Sequence, residues 1–215
     1  MMHKKIYLLS LLLLAFLVAC TRTETEYFEN GNKKSEISYK GDRIHGNAIW
    51  YHPNGEKKYE ATYENGRLQG KAIRYYITGW KHTEETYTDD MLNGVAREWS
   101  PQGRLIEKKT YRNDTLHGAY RRWFDNRQMQ IKGRYEHGLY EGKWLYWDTY
   151  GNIVGEGTYS GGKGIQKGWS AEGYLLRKVS YDRNEKHGRE YVYNDRGNVI
   201  RINVYDHGAL VEVLE

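Results

Sequence analysis

Tyr51-His52-Pro53-Asn54-Gly55, the run from Glu56 to Thr62, and Tyr63-Glu64-Asn65-Gly66-Arg67-Leu68-Gln69-Gly70 follow one another in the chain. Pro53-Asn54-Gly55 suits a type I turn followed by a residue at positive φ, which glycine adopts without steric penalty. A proline fixes φ where such a turn begins. Glu64-Asn65-Gly66 marks a second turn. Between them, Lys57-Lys58-Tyr59-Glu60-Ala61-Thr62-Tyr63 mixes charged, aromatic and small residues at short spacing, as a half-exposed strand does. The stretch is one strand held between two turns, so a chain built from copies of it is a β-meander.

Copies of it fill the chain. Cutting after Gly46, Gly70, Gly94, Gly118, Gly142, Gly164 and Gly188 gives units 23–46, 47–70, 71–94, 95–118, 119–142, 143–164, 165–188 and 189–212. Each is 24 residues long except the sixth, which is two shorter. The fifth position is always aromatic: Tyr27, Tyr51, Tyr75, Trp99, Trp123, Trp147, Trp169 and Tyr193. The ninth is the turn glycine, Gly31, Gly55, Gly79, Gly103, Gly151, Gly173 and Gly197, with Arg127 as the exception. The seventeenth is tyrosine throughout: Tyr39, Tyr63, Tyr87, Tyr111, Tyr135, Tyr159, Tyr181 and Tyr205.

The expected fold is an all-β, elongated antiparallel meander or solenoid of eight β-hairpin repeats, preceded by a helical signal peptide. Two strands per unit give about sixteen strands and a sheet on the order of 75 Å long. A lone hairpin is marginal in water, so neighbouring units must support one another. The two aromatic columns are expected to stack along the sheet, each fully buried ring contributing roughly 2–3 kcal/mol. The glycine closing each unit is expected to leave room for a ring. Whether the columns share a face stays open, because one bulge reverses the parity.

Tyr51 to Gly55 with Tyr63 to Gly70, and again Trp99 to Gly103 with Tyr111 to Gly118, resemble the bacterial variant form of the MORN-repeat superfamily. The resemblance runs from Thr23 to about Glu212. It implies a non-catalytic scaffold, and proteins similar to this one include the YwqK-type antitoxin family of toxin–antitoxin systems, many of them lipoproteins. Arg127, the short sixth unit and Glu212, where a closing glycine would stand, depart from the pattern.

Ahead of the repeats, Lys4 and Lys5 precede the uncharged run Ile6 to Ala19, which ends Leu17-Val18-Ala19-Cys20. At fourteen residues this run is short of the roughly 20 needed to span a bilayer, and it fits the apolar core of a signal peptide. The ending resembles a lipobox, so residues 1–19 are expected to be removed and Cys20 acylated, with 20–22 as a short tether and 213–215 as the end. Cys20 is the one cysteine, which leaves none for a disulfide or a thiolate metal site. Thr21 rather than Asp follows it, favouring the outer membrane in a two-membrane bacterium. Lipid-anchored residence in the cell envelope is the expectation.

The full chain carries a net charge of +5. Without Lys4 and Lys5, thirty-one basic and twenty-eight acidic residues remain, interspersed along the repeats. A nucleic-acid binder concentrates its positive charge on one face, so no nucleic-acid partner is expected. Twenty-one Tyr, seven Trp and twenty-four Gly stand against three Phe and two Pro, so Tyr, Trp and Gly carry the packing.

No catalytic residue, cofactor or metal is expected. His45, His117 and His187 share the twenty-third position and stand three units apart, roughly 29 Å along the sheet, too far for one ion. His137 and His207 share a turn position, also three units apart. Glu36, Glu60, Glu84 and Glu156 share the fourteenth position and read as a solvated strand feature. Ser160-Gly161-Gly162-Lys163-Gly164 lacks the context of a phosphate loop and reads as a tight turn. The leading functional expectation is therefore a membrane-anchored scaffold for an unknown protein partner, with an antitoxin- or immunity-like role. The alternative is a cell-wall or polysaccharide-binding module, and an enzyme ranks last.

Overall fold

The computed structural model describes residues 21–214. The expected signal helix at 1–19 and the acylation site Cys20 lie outside the described residues, as does Glu215. Strands, turns and irregular links make up everything described, and nineteen strands form one sheet. Each pass of the chain runs antiparallel to the one before it. Asn93 splits Met91–Leu92 from Gly94–Trp99, and His117 splits Thr115–Leu116 from Gly118–Trp123; each gives its N–H to the facing strand, at Thr86 and Thr110. The nineteen strands are thus seventeen passes. That is one more than two per unit, because every unit boundary falls inside a strand.

Two kinds of turn alternate. At the first, the residue at position nine gives its N–H to the carbonyl three residues back, Gly55 to His52 at 2.9 Å and Gly103 to Ser100 at 2.8 Å. His52 N–H then closes the loop on Glu56 O at 2.7 Å. This is the type I turn with a positive-φ residue, and Arg127 adopts it too, at φ +70°. Position-eight asparagines knit consecutive turns together. Asn30, Asn54 and Asn126 give their amides to the carbonyls of Pro53, Ile77 and Thr149 in the next turn, at 2.8, 2.9 and 2.7 Å.

The second turn is a two-residue turn with both residues at positive φ, such as Asn65 (+51°) and Gly66 (+88°) or Asp89 (+49°) and Asp90 (+68°). That conformation matches the twist of a tight hairpin. These turns also stack: Gly66, Asp90, Asp114 and Gly138 each donate N–H to a carbonyl of the preceding repeat, at 2.8–3.1 Å.

After most second turns the strand bulges. Tyr63 faces Leu68 while Ala61 faces Ala72, so four steps on one strand oppose two on the other. The sixth unit has no such irregularity, since Tyr159 faces Gly164 and Ser160 faces Lys163 in unbroken register. The two residues missing from this unit are the bulge. Accordingly the closing glycines at 46, 70, 94, 118, 142 and 188 hold positive φ, whereas Gly164 does not.

The expectation that these glycines make room for rings holds at Gly164, where a Cβ would come within 2.8 Å of the Tyr159 ring, and needs correcting at the others. Cβ atoms at Gly70 and Gly142 would meet nothing within 4 Å, so backbone conformation is what requires glycine there. Rings lie flat on the backbone at mid-strand glycines instead. A Cβ at Gly133 would come within 2.1 Å of the Trp144 ring, and one at Gly157 within 2.3 Å of Tyr159.

The most buried row runs across the sheet at two repeat positions, with Ile73 and Glu84 buried on the other face. Positions fifteen and two of adjacent passes face each other as Ala48–Ala61 and Ala61–Ala72, then further on as Trp144–Gly157, Gln166–Val179 and Glu190–Asn203. Ala48 is 0% and Val179 1% exposed. The row is narrow at Ala48, Ala61 and Ala72, carries Glu85 and Lys109 opposite Ala72 and Ala96, and is wide and aromatic around Trp144.

Candidate functional site

The two aromatic columns occupy opposite faces. Tyr63 and Glu60 stand three residues apart on one regular strand, so their side chains leave opposite sides of it. Tyr75 donates its hydroxyl to Glu60, which puts position five on the Glu60 face and position seventeen on the other. A register shift falls just before every position-five aromatic, between Trp50 and Tyr51, Arg74 and Tyr75, Glu98 and Trp99, and so on. The shift pairs Tyr51 with Lys57 while Trp50 pairs with Tyr59. It thereby turns Lys57 onto the Glu60 face, where alternation alone would have put it on the other.

The result is a ladder of Lys, Glu and Tyr. Lys33 meets Glu36 at 2.6 Å, Lys57 meets Glu60 at 2.5 Å and Lys81 meets Glu84 at 2.7 Å. Tyr51 and Tyr75 donate to Glu36 and Glu60 from the next repeat. Burial and then the bond to Glu36 push the Tyr51 phenol up to about 12. Burial alone would raise Glu60 and Glu84, yet the hydrogen bonds from their lysines outweigh it and hold both carboxyls below the usual range.

Position-fourteen glutamates are therefore not all solvated. Glu84 is 5% exposed and is held by Lys71, Lys81 and Arg97 at 3.2, 2.7 and 3.1 Å. Glu156, paired with Lys143 at 2.8 Å, keeps the solvated character. From the fourth unit on, position eleven becomes Leu105, Met129, Ile153, Leu175 and Val199, and the polar ladder gives way to Trp99, Trp123, Trp147 and Trp169 beside apolar residues.

On the opposite face, the position-seventeen tyrosines are half-buried except Tyr159, which is buried. Direct ring contact between neighbours of this column occurs at Tyr159–Tyr181, with centroids 5.6 Å apart, where the missing bulge draws the passes together. Tyr140 and Trp144 fill the gap between Tyr135 and Tyr159, at 4.5–5.4 Å. Cations cap three other rings of the column: Arg22 over Tyr39, Lys109 over Tyr111 and Lys186 over Tyr205, at 5.3, 5.9 and 4.5 Å. The expected continuous stack is thus a central cluster flanked by cation-capped tyrosines. A bulge in most units spaces the rings too far apart to touch.

The ribbon's two turn edges differ in chemistry. Beside the first turns stand exposed apolar side chains, Ile77, Trp80, Tyr150, Ile153 and Tyr174 among them, with Trp80 56% and Tyr150 87% exposed. Trp80 lies over Gly103 in the next turn, where a Cβ would sit 2.7 Å from the ring. Together with Leu105, Trp123 and Arg127, it lines a shallow groove. The second turns carry polar residues, among them Asn65, Asp89, Asn113, His137 and His207.

Histidines meet along this second edge in pairs that same-position bookkeeping does not reveal. His117 lies against His137, centroids 5.1 Å apart, and His187 against His207 at 4.6 Å. Spacing within one column separates His117 from His187 by three units. The neighbour of each is in the next turn, 20 residues on, a distance the meander register alone predicts.

Residues 23–40 and 44–65 match the family model described as MORN repeat variant. The two stretches coincide with the first two hairpins, each a pair of strands about a first turn. No curated protein matches the chain. The pairing seen in the matched residues recurs beyond them: position-seventeen Tyr87, Tyr111, Tyr135 and Tyr205 face the closing glycines Gly70, Gly94, Gly118 and Gly188 as Tyr63 faces Gly46.

Proposed function

We propose that this chain is a non-catalytic, membrane-anchored repeat scaffold that docks a protein along its first-turn edge. The observation that carries the reading is the exposed apolar series on that edge, with Trp80 and Tyr150 more than half in solvent. Tyr150, 87% exposed, adds little to repeat packing, and apolar surface exposed along an edge marks an interaction site. Trp and Tyr anchor such sites well, burying large area at small cost in rotamer entropy. A MORN-variant repeat array is compatible with this role.

Anchoring through acylated Cys20 places the scaffold in the bacterial cell envelope, at the outer membrane where there are two. In the antitoxin-like version of this role, the partner is a toxin arriving from outside. An exported, anchored chain does not meet a cytoplasmic one.

The test is a crosslinked pull-down from the envelope fraction, comparing the lipidated native chain with the Trp80→Ala, Tyr150→Ala double variant. A stoichiometric protein captured by the first and lost by the second supports the reading. Sedimentation of the native chain with purified peptidoglycan or polysaccharide, without a protein, replaces it with glycan binding. Cys20→Ser should move the chain to the soluble fraction, and retention in the membrane fraction overturns the anchor.

A further inference from the structure

We infer that the second-turn edge carries two equivalent sites for a divalent transition-metal ion of the zinc type, each built from two imidazoles and one carboxylate. The first is His117, Glu136 and His137, and the second His187, Asp206 and His207. Within each group the ligand atoms lie within 4.8 Å of one another. A tetrahedral zinc with ligands about 2.1 Å away holds them about 3.4 Å apart. Small rotations of exposed or half-exposed side chains close that difference. Imidazole and carboxylate suit zinc, and solvent is free to fill the fourth position.

The geometry inside each group is directed. Glu136 Oε2 accepts from Arg134 Nη2 at 2.6 Å, and its Oε1 faces His117 Nε2 and His137 Nε2 at 3.7 and 3.8 Å. Arg134 thus orients the carboxylate as outer partners of metal ligands do. In the second group Asp206 is one methylene shorter, and the ring nitrogens nearer the backbone meet it: His187 Nδ1 at 3.4 Å and His207 Nδ1 at 2.7 Å from Oδ1.

Turn architecture accounts for one imidazole of each pair but not the other. In five units the residue at position twenty-three accepts the N–H of the next turn's first residue, whether it is Gln, Glu or His, while Asn93 donates its Nδ2 to Asn113 Oδ1 instead. Gln69 does this for Asp89 at 3.0 Å, Glu141 for Gly161 at 2.9 Å, His117 for His137 at 3.4 Å and His187 for His207 at 3.5 Å. Those two histidine contacts are long. The one at His117 is surrendered when Nε2 takes a metal and the ring proton moves to Nδ1. The turn's first residue needs only positive φ, which Asn65 and Asn113 supply at +51° and +46°. His137 and His207 hold the same conformation at +49° and +43°, each placing a second imidazole beside the first and a carboxylate one residue earlier.

The chain carries its own control. His45 accepts the N–H of Asn65 at 3.3 Å, and Glu64 precedes Asn65, so this turn has one imidazole and a carboxylate and lacks the second imidazole.

Isothermal titration of zinc ion into the full chain, free of any histidine tag, tests the assignment. The native chain should take up two equivalents at micromolar zinc. His137→Asn and His207→Asn should each take up one, since asparagine keeps the turn conformation. Asn65→His should raise the number to three. A native chain that binds no zinc in this range overturns the assignment. So does a stoichiometry unmoved by both asparagine variants, or an Asn65→His chain that gains no further equivalent.

Discussion

Asn184 reaches past the neighbouring turn to hold the one beyond it: its Oδ1 accepts the Tyr140 N–H at 2.7 Å, and its Nδ2 donates to Gly138 O at 2.8 Å. The turn it crosses is Gly161-Gly162, where a Cβ on Gly162 would stand 2.9 Å from Asn184 Oδ1 and 3.1 Å from the Arg183 backbone. Missing side chains and a missing bulge in the sixth unit thus let one asparagine bind three turns into a stack. Asn184→Ala should cost about 1–3 kcal/mol, from two lost hydrogen bonds and two orphaned backbone groups. Gly162→Ala should cost at least as much, because it adds strain at φ +79° to the same loss. Urea midpoints of the two variants check this, and a Gly162→Ala chain as stable as the native one sinks it.

Arg127 is the one residue other than glycine that closes a first turn, at φ +70°. A left-handed conformation costs a non-glycine residue about 1–2 kcal/mol, and glycine returns part of that through unfolded-chain entropy. Arg127→Gly should stabilise the protein by about 0.5–1 kcal/mol. Thermal melts measure it, and a lowered midpoint would mean the guanidinium makes a contact worth more than the strain.

Gly133 and Gly70 are needed for different reasons, and substitution separates them. Gly133 has no positive φ, but its absent side chain is where the Trp144 ring lies. Gly70 stands at +89° with nothing near its missing Cβ. Gly133→Ala should displace Trp144, changing tryptophan fluorescence and near-ultraviolet dichroism and costing about 1–3 kcal/mol by overpacking. Gly70→Ala should cost about 1–2 kcal/mol with both spectra unchanged. A spectral change confined to Gly70→Ala reverses the assignment.

The meander, the turn positions and both aromatic columns were legible because each is written as a residue type at a fixed interval. Pro53-Asn54-Gly55 names its own turn, and Tyr63 recurs without exception. What lay hidden depends on counting across strands. The side of the sheet taken by Tyr51 follows from a register shift that no residue type marks. The burial of Glu84 follows from Lys71 and Arg97 on flanking passes, which are 13 residues away from it on either side. The pairing of His117 with His137 needed the second-turn register rather than the repeat period. Gly133 and Gly157 break the small-residue row in a way that looks like simple variation until the Trp144 and Tyr159 rings are placed on them. The two-residue deletion was visible, but that it removes a bulge was not.

Glu190 gives the fold an acid-sensitive point. It is 5% exposed, and its carboxylate accepts from Asn203 at 2.9 Å, Lys186 at 3.0 Å and Tyr205 at 3.1 Å. Burial on its own would raise this carboxyl, and these donors together hold it below its ordinary value. A carboxyl depressed in the folded state binds its proton more weakly there than in the unfolded chain. Its stabilisation is therefore complete above the unfolded value of about 4.3 and is lost as pH falls through the lower folded value. Glu190→Gln should cost about 1–2 kcal/mol at pH 6, by removing the charge that Lys186 and Tyr205 engage. The gap to the native chain should narrow progressively as pH falls below the unfolded value of about 4.3, because the unfolded chain then binds the proton that the folded carboxyl resists. Urea denaturation at pH 6 and pH 3 measures both gaps. An undiminished difference at pH 3 would mean that Glu190 acts through shape and not through its charge.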